Sequence, residues 1–276
     1  MSKILLTLLF LPLFAFAEAN TVVYNVTNDT VIRGSLDHEQ VSIASISKLM
    51  TVYTVLNADQ DLTENLRVVS PRTTNTRLVK GMTLSRLELI ELSLISSDNL
   101  ASITLAENYP GGKDMFIHKM NENAKILKMY DTKFVDPTGL SSLNFSSIRD
   151  IVTLTKTVSQ YDIVKTSAMT PASYVTATKN RNVIKKKNKK KRHVKQPKKA
   201  SQSSTVTTRI HTHPTSTYFG HEGIFTIKTG FTNAAGFCIT MLVVANEQVY
   251  NITVLGAKTK KERQRYVEKS LKIINA

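Results

Sequence analysis

A single cysteine, Cys238, is present among 276 residues, which excludes an internal disulfide and leaves the fold to be held by its core. Cys238 stands in an apolar, strand-like run, where a buried structural thiol is expected rather than a nucleophile. Long apolar runs are equally scarce. The first, residues 4–14, follows Lys3, is broken by Thr7 and Pro12, and ends at Ala15-Phe16-Ala17. A basic residue, a short apolar stretch and a small-x-small tripeptide make a secretory signal peptide, too short to span a bilayer. Residues 1–17 are therefore expected to be removed. Residues 18–276 are expected to form one exported domain, periplasmic or otherwise extracytoplasmic and soluble. No second run of membrane length follows, and no internal repeat is present.

Acidic residues are missing where basic ones are densest. Between Lys185 and Lys199 lie ten Lys or Arg and no acid, and removing those ten from the net charge of +16 leaves +6. The basic balance thus belongs to one segment and not to the fold. That run also lacks aromatic residues for base stacking and a periodic apolar face for a membrane surface. Together with the Ser/Thr-rich stretch after it, it reads as a disordered, solvated insertion over about residues 179–206. As a tolerated insertion it needs no ligand. As a tether it suits an anionic surface, such as a cell-wall polymer, lipopolysaccharide or acidic lipid. Nucleic acid fits an exported chain poorly. His211, His213 and His221 have no carboxylate or cysteine at ligand spacing, so no metal is expected.

Hydrophobic residues make up 41% of the chain, enough for a globular core. Residues 22–26 and 31–34 read as short strands, and residues 65–69 as an extended piece. The pattern turns helical from Ser45 to about residue 57, and again over 82–94, 97–109, 113–129 and 146–161. On the second of these, Leu84, Leu87, Ile90 and Leu94 share one face. Residues 224–229, 236–244 and 248–255 read as an antiparallel meander, closed by a helix over 258–274. Strands at both ends with helices between predict an α+β class: an antiparallel sheet flanked by helices, with a helical subdomain inserted over about 60–162.

Three short motifs carry chemistry. Ser45-Ile46-Ser47-Lys48 opens a helix, with Lys48 one turn after Ser45 on the same face. A lysine amine there can take the serine proton, and the free N–H groups of a helix end favour developing negative charge. Alone, Ser45 could equally be an N-cap and Lys48 a solvated lysine. Ser97-Asp98-Asn99 sits in the loop opening the next apolar helix, where it also suits an N-cap. Lys228-Thr229-Gly230 ends a strand of the C-terminal sheet. In this order the three are the signature of penicillin-binding proteins and class A β-lactamases.

The match is wider than the triple. Residues 43–51, 94–101, 134–141 and 228–238 closely resemble the D-alanyl-D-alanine peptidase family, the low-molecular-mass penicillin-binding proteins. The run from Lys228 to Gly236 and the absence of a C-terminal β-domain look most like its endopeptidase branch, which cuts peptidoglycan cross-links. The resemblance implies the penicillin-binding-protein/serine β-lactamase-like fold and an acyl-enzyme mechanism without metal or organic cofactor. It implies Ser45 as nucleophile and Lys48 as general base, its pKa lowered by burial and by the nearby Lys228. Ser97 would relay the proton to the leaving amine, while Asn99 would hold substrate and orient Lys48. Lys228 and Thr229 would bind the substrate carboxylate. The amides of Ser45 and Phe231 would form an oxyanion hole, with Gly230 leaving room for the acyl chain. Residues 136–140 would be a structural loop at the floor of the site. Peptidoglycan would be the substrate and β-lactams covalent inhibitors.

Three alternatives stay open beside the endopeptidase. A carboxypeptidase removing the terminal D-alanine uses the same machinery. A class A β-lactamase also needs a deacylating glutamate in Glu-x-x-Leu-Asn, and here Leu140 precedes Ser141-Ser142-Leu143-Asn144. A wall-binding protein could retain the fold without turnover.

Overall fold

Three antiparallel sheets, one of them only two short strands, and a block of helices build the fold, in a computed structural model that describes residues 19–170, 174–182 and 203–276. Strands β1 (Asn20–Asn25) and β2 (Thr30–Arg33) form a hairpin, and β3 (Val41–Ser42) leads through a 3-10 turn at Ala44–Ser47 into α1 (Lys48–Leu56). Then come β4 (Asn65–Arg67), β5 (Met82–Ser85), α2 (Arg86–Ile95), α3 (Asn99–Glu107) and α4 (Gly112–Ile126). Next are β6 (Phe145–Ser146), α5 (Ile148–Val158), α6 (Asp162–Met169), β7 (Tyr174–Asn182) and β8 (Ser203–His211). The chain closes with β9 (Ile224–Thr232), β10 (Gly236–Ala245), β11 (Gln248–Ala257) and α7 (Lys260–Ile274).

The larger sheet has the order β2-β1-β11-β10-β9, so the N-terminal hairpin completes the C-terminal meander. Val22 faces Thr253, Ile252 faces Met241, and Thr240 faces Lys228. Strands β10 and β11 are buried along most of their length because helices cover both faces. On one face Ile239, Met241, Ile252 and Val254 pack with Val267 and Ile274 of α7. On the other, Val22, Cys238 and Leu255 join the main core with α1, α2 and α5. Fully burying one such aliphatic side chain contributes about 1.5–3 kcal/mol, so this double cover fixes the sheet firmly. Strand β9 lies at one edge of this sheet, with β2 at the other, and carries Lys228-Thr229-Gly230 in its second half.

The α+β architecture agrees with the sequence reading, while several boundaries differ. Residues 82–85 are strand, and α2 begins only at Arg86, because Ser85 and Glu88 form a capping box. The apolar face shifts accordingly: Leu87 is 37% exposed, while Leu89 and Leu92 are buried. Helix α6 had no strong apolar period to announce it. The helical block is not purely helical either, since β4 and β5 join β7 and β8 in a four-stranded sheet. Residues 179–182 and 203–206, read as the ends of a disordered insertion, are paired strand, with Lys179 opposite Val206. Their Ser, Thr and Asn side chains hide the signal, because the pairing is made by the backbone. The segment expected to be a signal peptide, residues 1–17, and residues 185–199 lie outside the described residues.

Candidate active site

A tight turn sets the position of Ser45. Ala44 has φ +47°, a left-handed conformation that costs an alanine about 1–3 kcal/mol and persists only where its surroundings enforce it. Those surroundings come from the loop after α4. A side chain at Gly139, itself at φ +79°, would place its Cβ 1.8 Å from the Ala44 carbonyl oxygen, so only glycine lets the loop pack beneath the turn. The Asp136 carboxylate shapes that loop by accepting from the Thr138 N–H (2.6 Å), the Gly139 N–H (2.8 Å) and the Ser141 N–H (2.9 Å). Buried Asn144 ties loop to turn, donating to Ser47 Oγ at 3.0 Å and to the Asp136 carbonyl at 2.9 Å. Ser45 caps nothing with its side chain, so the N-cap alternative does not describe it.

Lys48 is fully buried at the start of α1. Its Nζ donates to Ser45 Oγ (2.8 Å), Asn99 Oδ1 (2.8 Å) and the Thr138 carbonyl (2.7 Å). Three acceptors match the three protons of an ammonium, while a neutral amine can instead accept the serine proton. Burial brings the Lys48 pKa from 10.5 down to about 7, against the opposing pull of the Asp136 and Asp98 charges. Both protonation states are therefore accessible near neutrality.

Ser97 and Lys228 form a second pair, with Lys228 Nζ donating to Ser97 Oγ and to the Thr229 carbonyl at 2.9 Å each. Burial, then the charges of Lys48 and Arg263, push the Lys228 pKa well below its ordinary value. Burial is the larger cause at both lysines; their mutual repulsion enters second at Lys228 and is absent at Lys48, where the sequence reading had expected it. Ser97 is another left-handed residue, at φ +54°. It is held from below: Asp98 caps α3 at the Ala101 N–H (2.9 Å) and accepts from Thr76 Oγ1 (2.8 Å) and the Arg77 N–H (3.0 Å). The partial N-cap role expected for this motif thus falls to Asp98. Asn99 orients Lys48 through Oδ1, while its Nδ2 is engaged by the Thr74 carbonyl at 2.9 Å.

Strand β9 closes the site. A Cβ at Gly230 would lie 2.9 Å from the Ile43 carbonyl oxygen and 3.0 Å from the Ser45 nitrogen, so glycine brings the strand edge against the Ser45 amide. Thr229 Oγ1 donates to Thr215 Oγ1 at 2.6 Å. Phe231 is 52% exposed and stacks on Phe237 with ring centroids 4.2 Å apart.

Between these parts runs a cleft of about 370 Å³, lined by Ser45, Ser97, Asn99, Thr229, Gly230 and Phe231. Every sequence-predicted site residue therefore lies in the cleft or, like Lys48 and Lys228, directly behind it. Sequence reasoning placed Thr138 in the floor loop but missed the bond its carbonyl accepts from Lys48, and missed Thr74, Asn75 and Thr215, which carry no motif. It also missed Arg263, which lines the cleft, is 6% exposed and has no carboxylate partner among the described residues. Among the described residues Arg263 donates to the Cys238 carbonyl alone, at 3.4 Å. Leu140 stands on the cleft wall, and none of the described lining residues is acidic. Cys238 is fully buried, its pKa raised by burial to about 11, as expected of an inert structural thiol. The His211 and His213 rings pack on each other 4.3 Å apart, with His221 against Tyr218.

The sequence profile of the D-alanyl-D-alanine carboxypeptidases matches residues 15–259. A D-alanyl-D-alanine endopeptidase of Escherichia coli is 32% identical over 246 residues, covering 87% of this chain and 72% of that protein. The protein of the same name from Pseudomonas aeruginosa is 34% identical over 222 residues, covering 79% of this chain and 64% of its own length. Among solved structures, a penicillin-binding protein of Listeria monocytogenes in its ampicillin-bound form superposes with a TM-score of 0.71 at 25% identity. That match covers 94% of this chain and 98% of the other.

Proposed function

Since the chain belongs to the D-alanyl-D-alanine carboxypeptidase family, we propose that it is a serine D-alanyl-D-alanine peptidase of peptidoglycan, acting as an endopeptidase on cross-links. One observation carries the reading: a buried lysine of pKa about 7 whose amine sits 2.8 Å from Ser45 Oγ. Neutral Lys48 takes the Ser45 proton as Oγ attacks the D-alanyl carbonyl carbon. The amides of Ser45 and Phe231 receive the oxyanion, in a place kept open by Gly230. The C–N bond then breaks, and the amine leaves with a proton delivered through Ser97, backed by Lys228. Water enters from the leaving-group side and reverses these steps to free Ser45. The peptide itself lies as an added strand on the open edge of β9. Thr229, together with the positive field of Lys228 and Arg263, receives a substrate carboxylate.

β-Lactams follow the first half of this course. Their leaving nitrogen stays tethered after ring opening and blocks the path of water. With Leu140 where a lactamase needs its glutamate, the acyl-enzyme persists. Carboxypeptidase action is the second reading, since it uses the same groups. Endopeptidase action is favoured by the names of the two relatives above, 32% and 34% identical to this chain.

The proposal extends to location. Removal of residues 1–17 would export the domain to the wall, and the charge of residues 185–199 would hold it to anionic polymer there. Among the described residues no helix is long and apolar enough to cross a membrane. The catalytic reading is tested by incubating the protein with penicillin and mapping the adduct by mass spectrometry. A stoichiometric adduct on Ser45 is expected. An unmodified protein, or an adduct elsewhere, would overturn the assignment.

A further inference from the structure

Beside the cleft lies a second groove of about 610 Å³, between the loop of residues 72–77 and the segment of residues 213–215. Asn75 and Thr215 line both, so the two spaces adjoin at the Ser97 side. Two arginines, Arg72 and Arg77, and His213 line the groove, and neither arginine has a carboxylate partner among the described residues. The only acid among the described residues of its wall, Asp98, is buried and already engaged by Thr76 and the Arg77 and Ala101 N–H groups. The walls are tied to the catalytic loop. The His213 N–H donates to Ser96 Oγ at 2.8 Å, and Asn75 Nδ2 donates to the Ser97 carbonyl at 2.8 Å. The positive field is felt locally: partial desolvation and then the charges of Arg77 and His211 hold the His213 pKa below its ordinary value.

A groove with unpaired guanidinium groups takes an anion, and arginine suits a carboxylate through its paired donors. Its place decides which one. Ser97 serves the leaving amine in the mechanism above, so whatever extends past Ser97 into the groove belongs to the leaving group. A lone D-alanine is too small to reach beyond the cleft, whereas the leaving half of a cross-link is a whole stem peptide with free carboxylates. We propose that the Arg72–Arg77–His213 groove is an anionic subsite for the carboxylates of the leaving peptide of a cross-linked substrate. The inference rests on the peptidase reading and deepens it, by giving a physical reason for preference of cross-links over free pentapeptide ends.

The experiment compares the wild type with an Arg72→Gln/Arg77→Gln variant on three probes: cross-linked muropeptide dimers, uncross-linked pentapeptide monomers, and penicillin. The subsite predicts that kcat/KM for dimers falls about tenfold or more, mainly through KM, with penicillin acylation and pentapeptide turnover unchanged. Dimer cleavage equal to wild type would overturn it, as would an equal fall on all three probes, which would mark a structural role. If the wild type acylates with penicillin but cleaves no dimer, the endopeptidase reading fails by itself. The subsite is then decided by titrating a soluble stem tetrapeptide into penicillin-acylated protein. Wild-type binding weakened at least severalfold in the variant supports it, and equal or absent binding overturns it.

Discussion

The charge state of Lys48 makes the rate of acylation a sharp function of pH. With a pKa of about 7, the neutral, proton-accepting form is about one-eleventh of the population at pH 6 and about ten-elevenths at pH 8. The second-order rate constant for acylation by penicillin is therefore expected to rise about tenfold between those values and then flatten. The sign follows from the direction of the shift: a lowered lysine pKa leaves the base active above about pH 7 and silenced below it. The same shift bears on stability. Below 10.5 the unfolded chain holds the Lys48 proton more readily than the folded one, so this group's contribution to stability rises with pH from about 7 to 10.5. The assay is the rate of covalent labelling by a fluorescent penicillin from pH 5 to 10, run beside Lys48→Ala, for which a loss of about 10²–10⁴-fold is expected. A rate climbing tenfold per pH unit through pH 8 and 9 would mean an ordinary lysine, and the reasoning from burial would be refuted.

Three further outcomes follow from the same geometry. Gly139→Val drives a Cβ into the Ala44 carbonyl from a left-handed position; a loss of about 2–4 kcal/mol in denaturant unfolding is expected, together with loss of labelling at Ser45. A fully stable, fully labelled variant would show that the loop does not support the turn. Arg263→Leu removes a buried cation without a carboxylate partner among the described residues. It should leave the melting temperature within a few degrees and raise KM about tenfold for peptides ending in a free carboxylate, but not for their amides. Equal effects on acid and amide would rule out carboxylate binding. Deleting residues 185–199 should weaken salt-sensitive adsorption to purified cell walls while sparing turnover of soluble substrates, and adsorption unchanged across salt would contradict the tether.

What the sequence made legible was chemistry carried by side chains at fixed spacing. Ser45, Lys48, Ser97, Asn99 and Lys228 could be placed in one site because each needs its own functional group, and the structure joins them within hydrogen-bond distance. Supporting groups that act through the backbone were hidden. The Thr138 carbonyl binds Lys48, yet any residue offers a carbonyl there. Its loop was legible as a floor only because Asp136 and Gly139 have conformational reasons to be where they are. Arg263 was hidden differently: α7 was read for the apolar residues that cover the sheet, and one arginine among many basic neighbours carries no pattern. Fold errors share a cause. Leu84 and Leu87 fit a helical period, but the cap at Ser85 starts the helix after the first and turns the second toward solvent. The β7–β8 ladder was missed because most of its residues are polar by sequence and only Val175, Ala177 and Ile210 reach the core, the rest being backbone pairing.

The most direct test of the central claim is a digest of purified muropeptides, cross-linked dimers and pentapeptide monomers together, by wild type and Ser45→Ala, with and without penicillin. Dimers falling to monomers with the wild type alone, and blocked by penicillin, is the predicted result. Dimers and pentapeptides both surviving, or dimers cleaved equally by Ser45→Ala, would contradict a serine D-alanyl-D-alanine peptidase built on Ser45 and Lys48.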